Sequence, residues 1–280
     1  MTREAVPESI SPMTRASRTP TVYIPHGGGP CFFMEWNPAD MWDKMGAYLK
    51  RLPQDVGEKP KALLIVSAHW EAADFTIQTK PAPGMLFDYY GFPPHTYELN
   101  YPARGSEAVA RRVQTLAAEA GIAVASDADR DFDHGVFIPM LMAWPDADIP
   151  TLQLSLKKGL SPQEHMALGK ALAPLRDEGV LIIGSGMSFH SIPRLMGRGS
   201  GSGPASHAFD DWLSATVAGD VQGLTRWATA PNAHDCHPRE EHLLPLMVVA
   251  GAGDGDAGRR TYHEDSLGPT GIAISAFQFG

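Results

Sequence analysis

Two short segments constrain the fold of this chain more than any other feature. Residues 62–68 (ALLIVSA) and 180–184 (VLIIG) are continuously hydrophobic, the pattern of strands buried on both faces of a sheet. Four further β-rich runs, at 21–25, 75–79, 151–156 and 272–279, read as strands. Helix signals lie between them. Asn37-Pro38 opens one helix running towards Leu52, Ser106 opens a second that ends at Gly121, and Ser161-Pro162-x-Glu164 caps a third that closes at Gly179. Strands alternating with helices predict an α/β fold: a central, mostly parallel or mixed sheet with helices on its faces.

The organisation is expected to be simple. Residues 1–19 read as a flexible arm and residues 20–280 as one catalytic domain, with no internal repeat and no linker between separate cores. The Gly/Ser-rich stretch 197–206 reads as a mobile loop. Lys and Arg number 23 against 32 Asp and Glu, a net charge of −9, which repels nucleic acid and anionic membranes. No apolar run approaches the roughly 20 residues needed to span a bilayer. Two cysteines, Cys31 and Cys236, are too few for a disulfide framework, so a reducing, cytoplasmic setting is expected. Gly (28) and Pro (24) are in excess for 280 residues, which predicts many shaped turns.

The histidines are placed where such turns matter. His26 follows the run 21–25, His69 follows 62–68, and His190 comes shortly after 180–184. Each therefore sits beyond the carboxyl end of a strand, the edge at which open α/β sheets bind ligands. Two more occupy loop-to-helix contexts: His134 in Asp131-Phe132-Asp133-His134-Gly135, and His242 in a segment from His237-Pro238 that reads as the start of a helix continuing through 243–246. Neutral imidazoles gathered in a cleft suit a divalent first-row metal. With His-Glu-x-x-His absent, the site must be assembled from distant segments.

These segments, in order, resemble the DOPA-dioxygenase type of class III extradiol ring-opening dioxygenases, relatives of protocatechuate 4,5-dioxygenase. The matching pieces are Ile24-Pro25-His26-Gly27-Gly28-Gly29-Pro30, Ser67-Ala68-His69-Trp70-Glu71, Asp88-Tyr89-Tyr90-Gly91-Phe92-Pro93 and Tyr101-Pro102-Ala103. They continue with Asp133-His134-Gly135-Val136, residues 184–190 (GSGMSFH) and His237-Pro238-x-x-Glu241-His242-x-x-Pro245-Leu246. The resemblance implies a nonhaem metal held by His26, His69 and His242, with Fe(II) for activity and Zn(II) as an occupant of the same site. It implies His190 as general base, or as a fourth ligand when zinc replaces iron, and His134 as proton donor. Extradiol enzymes commonly use two His and one carboxylate, which Glu241 could supply; the family pattern points to His242.

The implied reaction joins a catechol and O2, with the ring cut beside the diol to a muconic-semialdehyde type product. An imidazole titrating near neutrality suits the second phenolic proton, and Asp133 is the expected carboxylate for holding His134 protonated. Phe33, Trp70 and Tyr90 are candidate substrate contacts in an apolar slot. The small-molecule substrate and O2 are the expected partners, and whether the chain forms a homo-oligomer is open. Rival readings are a zinc hydrolase or a metal-holding binding protein on the same scaffold, and a serine esterase using the His-Gly-Gly-Gly turn; the esterase lacks Gly-x-Ser-x-Gly. Residues 253–258 (GDGDAG) satisfy Gly-x-Gly-x-x-Gly but follow a helix, so they read as a polar turn.

Overall fold

The computed structural model describes residues 18–198 and 201–280. Eight strands form one sheet: β1 (Thr21–Pro25), β2 (Ala62–Ala72), β3 (Phe75–Gln78), β4 (Val124–Asp127), β5 (Thr151–Lys157), β6 (Val180–Gly186), β7 (Gly258–Leu267) and β8 (Ile272–Phe279). Their order is β4-β3-β5-β2-β6-β1-β8-β7. The centre, β5-β2-β6-β1, is parallel. β3 joins β5 antiparallel and pairs β4 in parallel, whereas β8 and β7 add an antiparallel pair beyond β1. The sheet is therefore mixed, in a single α/β domain.

The helices are α1 (Asp43–Asp55), α2 (Glu107–Glu119), α3 (His134–Ala143), α4 (Pro162–Leu172), α5 (Ile192–Leu195), α6 (Ser202–Ala218), α7 (Ala233–Cys236) and α8 (Leu244–Gly253). α3 and α8 are apolar around their whole circumference, and every residue of α8 is buried. That is the signature of an interior helix. α8 packs on β6 and β1 and against α4. Gly169 and Gly251 allow the α4 contact, since a Cβ on either would overlap the main chain of the other helix at Val248 or Met166. At the far end of α8 the buried Arg176 guanidinium donates to the carbonyls of Ala252 and Gly253 at 2.9 Å each, to Asp256 at 2.6 Å and to the Thr19 carbonyl at 2.7 Å. Four acceptors offset the cost of burying that charge.

Several boundaries differ from the sequence expectations. β4 and β7 are edge strands, exposed along much of their length, so they lack the apolar runs that mark the centre. α1 begins at Asp43, after turns through residues 37–42. Of the expected arm, residues 1–17 lie outside the described residues, while Arg18 and Thr19 are tied to Asp177, Asp254 and Arg176. In the expected loop 197–206, residues 199–200 lie outside the described residues. Gly201 (φ 72°) instead turns the chain into α6, so 202–206 are helical. Burial of Ala205, Phe209, Leu213 and Val217 on α6 outweighs the Gly/Ser composition of its first turn. Both cysteines are free and buried. Among the described residues no helix is long and apolar enough to cross a membrane.

Candidate metal centre

The strand order explains how distant histidines meet. β2, β6 and β1 are parallel neighbours, so their carboxyl ends share one edge. His26 extends the β1–β6 ladder by one step, its N–H donating to the Gly186 carbonyl at 3.1 Å. His69 lies in the outer part of β2, where pairing with β5 shifts register between Val66 and Glu71; such irregularities re-aim side chains beside functional sites. His242 arrives from the opposite direction, in the turn before α8. The helix begins at Leu244 rather than at Pro238, and Pro245 occupies its first turn. The His242 carbonyl accepts from the Tyr23 hydroxyl at 2.6 Å and from the Met187 N–H at 3.2 Å. This turn presses onto β6 at Gly186, where a Cβ would stand 2.0 Å from the His242 carbonyl oxygen. Only glycine permits that approach.

The three imidazoles converge through their Nε2 atoms. His69 Nε2 lies 3.1 Å from His26 Nε2 and 3.2 Å from His242 Nε2. The opposite ring edges have partners. His26 Nδ1 lies 3.0 Å from Ser185 Oγ, and the Ser185 proton goes to the Gly135 carbonyl. Ser185 therefore accepts from His26, which fixes the Nδ1–H tautomer and leaves the Nε2 lone pair facing inward. His242 Nδ1 donates to Glu241 Oε1 at 3.0 Å, and His69 Nδ1 lies 3.6 Å from Asp88 Oδ2. Burial, followed by the neighbouring imidazoles, pushes His26, His69 and His242 well below the usual histidine range, with Asp88 partly opposing the shift at His69. Neutral rings with lone pairs aimed at one point repel one another unless a cation lies between them. The donor set, with its oriented outer partners, fits a divalent first-row metal and suits iron or zinc alike.

Two further imidazoles flank this triad. His134 opens α3 with its ring 3.9 Å from that of His69, centroid to centroid. Its Nδ1 donates to Asp88 Oδ1 at 2.7 Å and its backbone N–H to the same oxygen at 3.0 Å. Burial raises the Asp88 pKa, but the bonds and charge of His134 outweigh that and hold the carboxyl below its ordinary value. His190 stacks on His242 at 3.3 Å with 15° between ring planes, and its Nδ1 lies 3.2 Å from Glu241 Oε1. Burial likewise pushes Glu241 up, but the His190 hydrogen bond and nearby positive charge bring it below normal. Glu241 thus backs two imidazoles, while its other oxygen lies 3.5 Å from Arg239, which grips Glu71 at 2.5 and 2.6 Å.

The carboxylate expected on His134 is a different one. Asp133 is fully buried and turned away, accepting from Ser67 Oγ at 2.7 Å, Arg130 Nη2 at 2.9 Å and Gln153 Nε2. Sequence adjacency pointed to Asp133, but its place before the first turn of α3 directs it onto β2 and β5. Asp88, 46 residues away, takes the role. The aromatic candidates also separate. Trp70 is buried beneath the Arg130 guanidinium, 4.9 Å from its ring centroid, and Tyr90 is 91% exposed. Phe33 packs at the edge of the core, its carbonyl accepting from His95 Nε2 at 2.9 Å. The ring that meets the histidines is Tyr89, 5.8 Å from His134. Ser185, flanked by Ile183 and Met187 where an esterase elbow needs glycines, is buried and hydrogen-bonded to His26 Nδ1 and the Gly135 carbonyl, so it is not placed as a free nucleophile. A separate space of about 390 Å³, lined by Trp36, Met41, Lys44, Leu195, Met196 and Glu264, includes none of these histidines.

Comparison with known proteins identifies the family. Residues 20–277 match the family described as the catalytic LigB subunit of aromatic ring-opening dioxygenase. The chain is 41% identical over 198 residues to a 4,5-DOPA dioxygenase extradiol of Beta vulgaris, covering 70% of this chain and 74% of that protein. It is 32% identical over 246 residues to the Escherichia coli K12 protein of the same name, covering 86% and 87%. Dioxygenase tasH of Hapsidospora irregularis is 36% identical over 279 residues, covering 91% and 84%. Among solved structures, the uncharacterized protein JW3007 from Escherichia coli K12 superposes with a TM-score of 0.74 at 27% identity, covering 94% of this chain and 100% of that one.

Proposed function

Because the chain belongs to the LigB family of aromatic ring-opening dioxygenases and is an extradiol ring-cleavage enzyme, we propose that it opens a catechol with O2 at an Fe(II) centre held by His26, His69 and His242. One observation carries the metal assignment: three neutral imidazoles, His26 and His242 buried and His69 half-buried, direct their Nε2 atoms to a common point while acceptor oxygens face their outer edges. Bound ferrous iron supplies Lewis acidity towards the phenol oxygens and the redox chemistry that dioxygen requires. Zinc fits the same ligands and supplies no redox step.

The protein's part is proton handling and enclosure. His190 is the base for the second phenolic proton: its Nδ1 faces Glu241, so Nε2 is the atom that receives it. The parallel stack on His242 keeps that ring beside the ligand set. His134, with Nδ1 committed to Asp88, offers Nε2 for delivering a proton as the ring bond breaks. His26, His134 and His242 are all buried, which limits water at the reacting atoms. Tyr89 joins Phe33, Trp70 and Tyr90 as a candidate contact for the aromatic substrate. The ring C–C bond beside the diol breaks and both oxygen atoms enter a muconic-semialdehyde type product.

The test is anaerobic reconstitution with ferrous iron, followed by oxygen uptake and product spectra across a panel of catechols. Uptake is expected with at least one catechol, lost in His26→Ala and reduced about 10²-fold or more in His190→Ala. Iron-loaded protein that consumes no oxygen with any catechol refutes the reading, and full turnover by His190→Ala removes that residue as the base.

A further inference from the structure

Four of the five imidazoles pair off around two carboxylates, and the Asp88 pair carries a role that the reaction so far leaves unassigned. Asp88 Oδ1 accepts from both the ring Nδ1 and the backbone N–H of His134, at 2.7 and 3.0 Å. Its other oxygen lies 3.6 Å from Nδ1 of the ligand His69. One carboxylate thus faces a ring inside the triad and a ring beside it. The tilted contact with His69, 46° between ring planes, and the edge contact with Tyr89 confine the His134 ring, but neither contact selects which nitrogen faces the site. A hydrogen-bond acceptor at Nδ1 does.

Asp88 is itself held. It lies in an irregular segment secured by the Leu86 N–H to the Phe132 carbonyl at 2.7 Å, its own N–H to the Leu86 carbonyl at 3.0 Å, and the Tyr89 hydroxyl to the Thr96 carbonyl at 2.6 Å. Asp133, the neighbouring alternative, is committed to Ser67, Arg130 and Gln153. We propose that Asp88 is a positioning residue that aims Nε2 of His134 at the space in front of His26, His69 and His242 and ties that aim to the orientation of His69. The inference rests on His134 acting as the proton donor.

The experiment compares Asp88→Ala and Asp88→Asn in the full chain with three readouts. Nitrogen-15 NMR of the zinc-loaded protein, in buffer alkaline enough to keep the rings neutral, is expected to show His134 protonated at Nδ1 in wild type and Asp88→Asn. In Asp88→Ala it is expected at Nε2 or exchanging between the two nitrogens. Chelator competition is expected to show Asp88→Ala binding zinc about 10- to 100-fold more weakly and Asp88→Asn within about threefold of wild type. Oxygen uptake by iron-loaded protein is expected to lose about 10²-fold in kcat for Asp88→Ala with KM changed less than about threefold, and to recover in part in Asp88→Asn. Wild-type ring signals and zinc affinity in Asp88→Ala overturn the proposal, as does a loss of activity matched by a loss of folded protein. If wild-type protein fails to consume oxygen, the ring-cleavage reading falls, and the NMR and affinity readouts still decide whether Asp88 holds His134 and His69.

Discussion

Replacing Gly186 by alanine should displace His242, a proposed metal ligand, without touching the side chain of any of the three histidines. The new Cβ would stand 2.0 Å from the His242 carbonyl oxygen, 1.4 Å short of the 3.4 Å at which ordinary contact begins, and 3.1 Å from the carbonyl carbon. The severe overlap is with main chain, so rotating a flexible side chain cannot relieve it, and the Tyr23 hydroxyl is crowded as well, at 3.0 Å. Moving the His242 carbonyl by more than an ångström stretches its bonds from the Tyr23 hydroxyl and the Met187 N–H. Overpacking and a loosened buried acceptor each cost about 1–3 kcal/mol. Metal–ligand distances tolerate only about 0.2 Å, so zinc affinity should fall about 100-fold or more. The assay is competition against a chromophoric chelator, paired with thermal unfolding. Gly258→Ala is the control, because its Cβ meets the Val217 carbonyl and Phe279 at 2.5–2.6 Å, away from the ligands. It should lower stability while leaving zinc affinity within about threefold. If Gly186→Ala binds zinc as tightly as wild type, the account of how His242 is placed is wrong.

Three other outcomes are expected. Glu241→Gln removes the charge facing Nδ1 of His190 and His242 and should weaken zinc binding about 10- to 100-fold in the same competition assay; unchanged affinity refutes its orienting role. Ser185→Ala leaves the Gly135 carbonyl and His26 Nδ1 without their shared partner in a buried setting, so urea unfolding should show a loss of about 1–3 kcal/mol, and a neutral result removes Ser185 from that role. Burial lowers His165 and His237 to about 4 from the usual 6.5: below pH 6.5 the unfolded chain takes up protons that the native state refuses. Stability should therefore fall as pH drops from 6.5 towards 4, by about 3 kcal/mol for each histidine, and His165→Gln should flatten that fall by one such share in urea titrations across the interval; an unchanged slope refutes the assignment.

The centre of the sheet and the gathering of the histidines were legible for the same physical reason. Strands buried on both faces cannot carry polar alternation, and β2 and β6 announced themselves by lacking it. Once parallel strands are neighbours, residues at their carboxyl ends meet regardless of separation in sequence, as His26 and His69 do. The edge strands β4 and β7 escaped because exposed strands need no apolar run. Asp88 escaped because its partner is 46 residues away, while the adjacent Asp133 offered a shorter explanation. The Gly184-Ser185-Gly186 end of β6 held the signal for the His242 approach, two glycines where the turn and the start of α8 lie against the strand.

The grip of Arg176 on α8 gives the enzyme a remote dependency. A ten-residue helix is about 15 Å long, and this one is buried throughout, with no soft exposed flank to absorb a disturbance. Its amino end adjoins the turn that carries His242, and its carboxyl end hangs on one guanidinium that also fastens the chain at Thr19. α8 therefore works as a strut. Damage at its anchored foot, whether at Arg176 or at Asp256, should surface as protein that is folded yet poor in metal, and a survey of inactive variants should find such lesions on the side of the sheet opposite the chemistry.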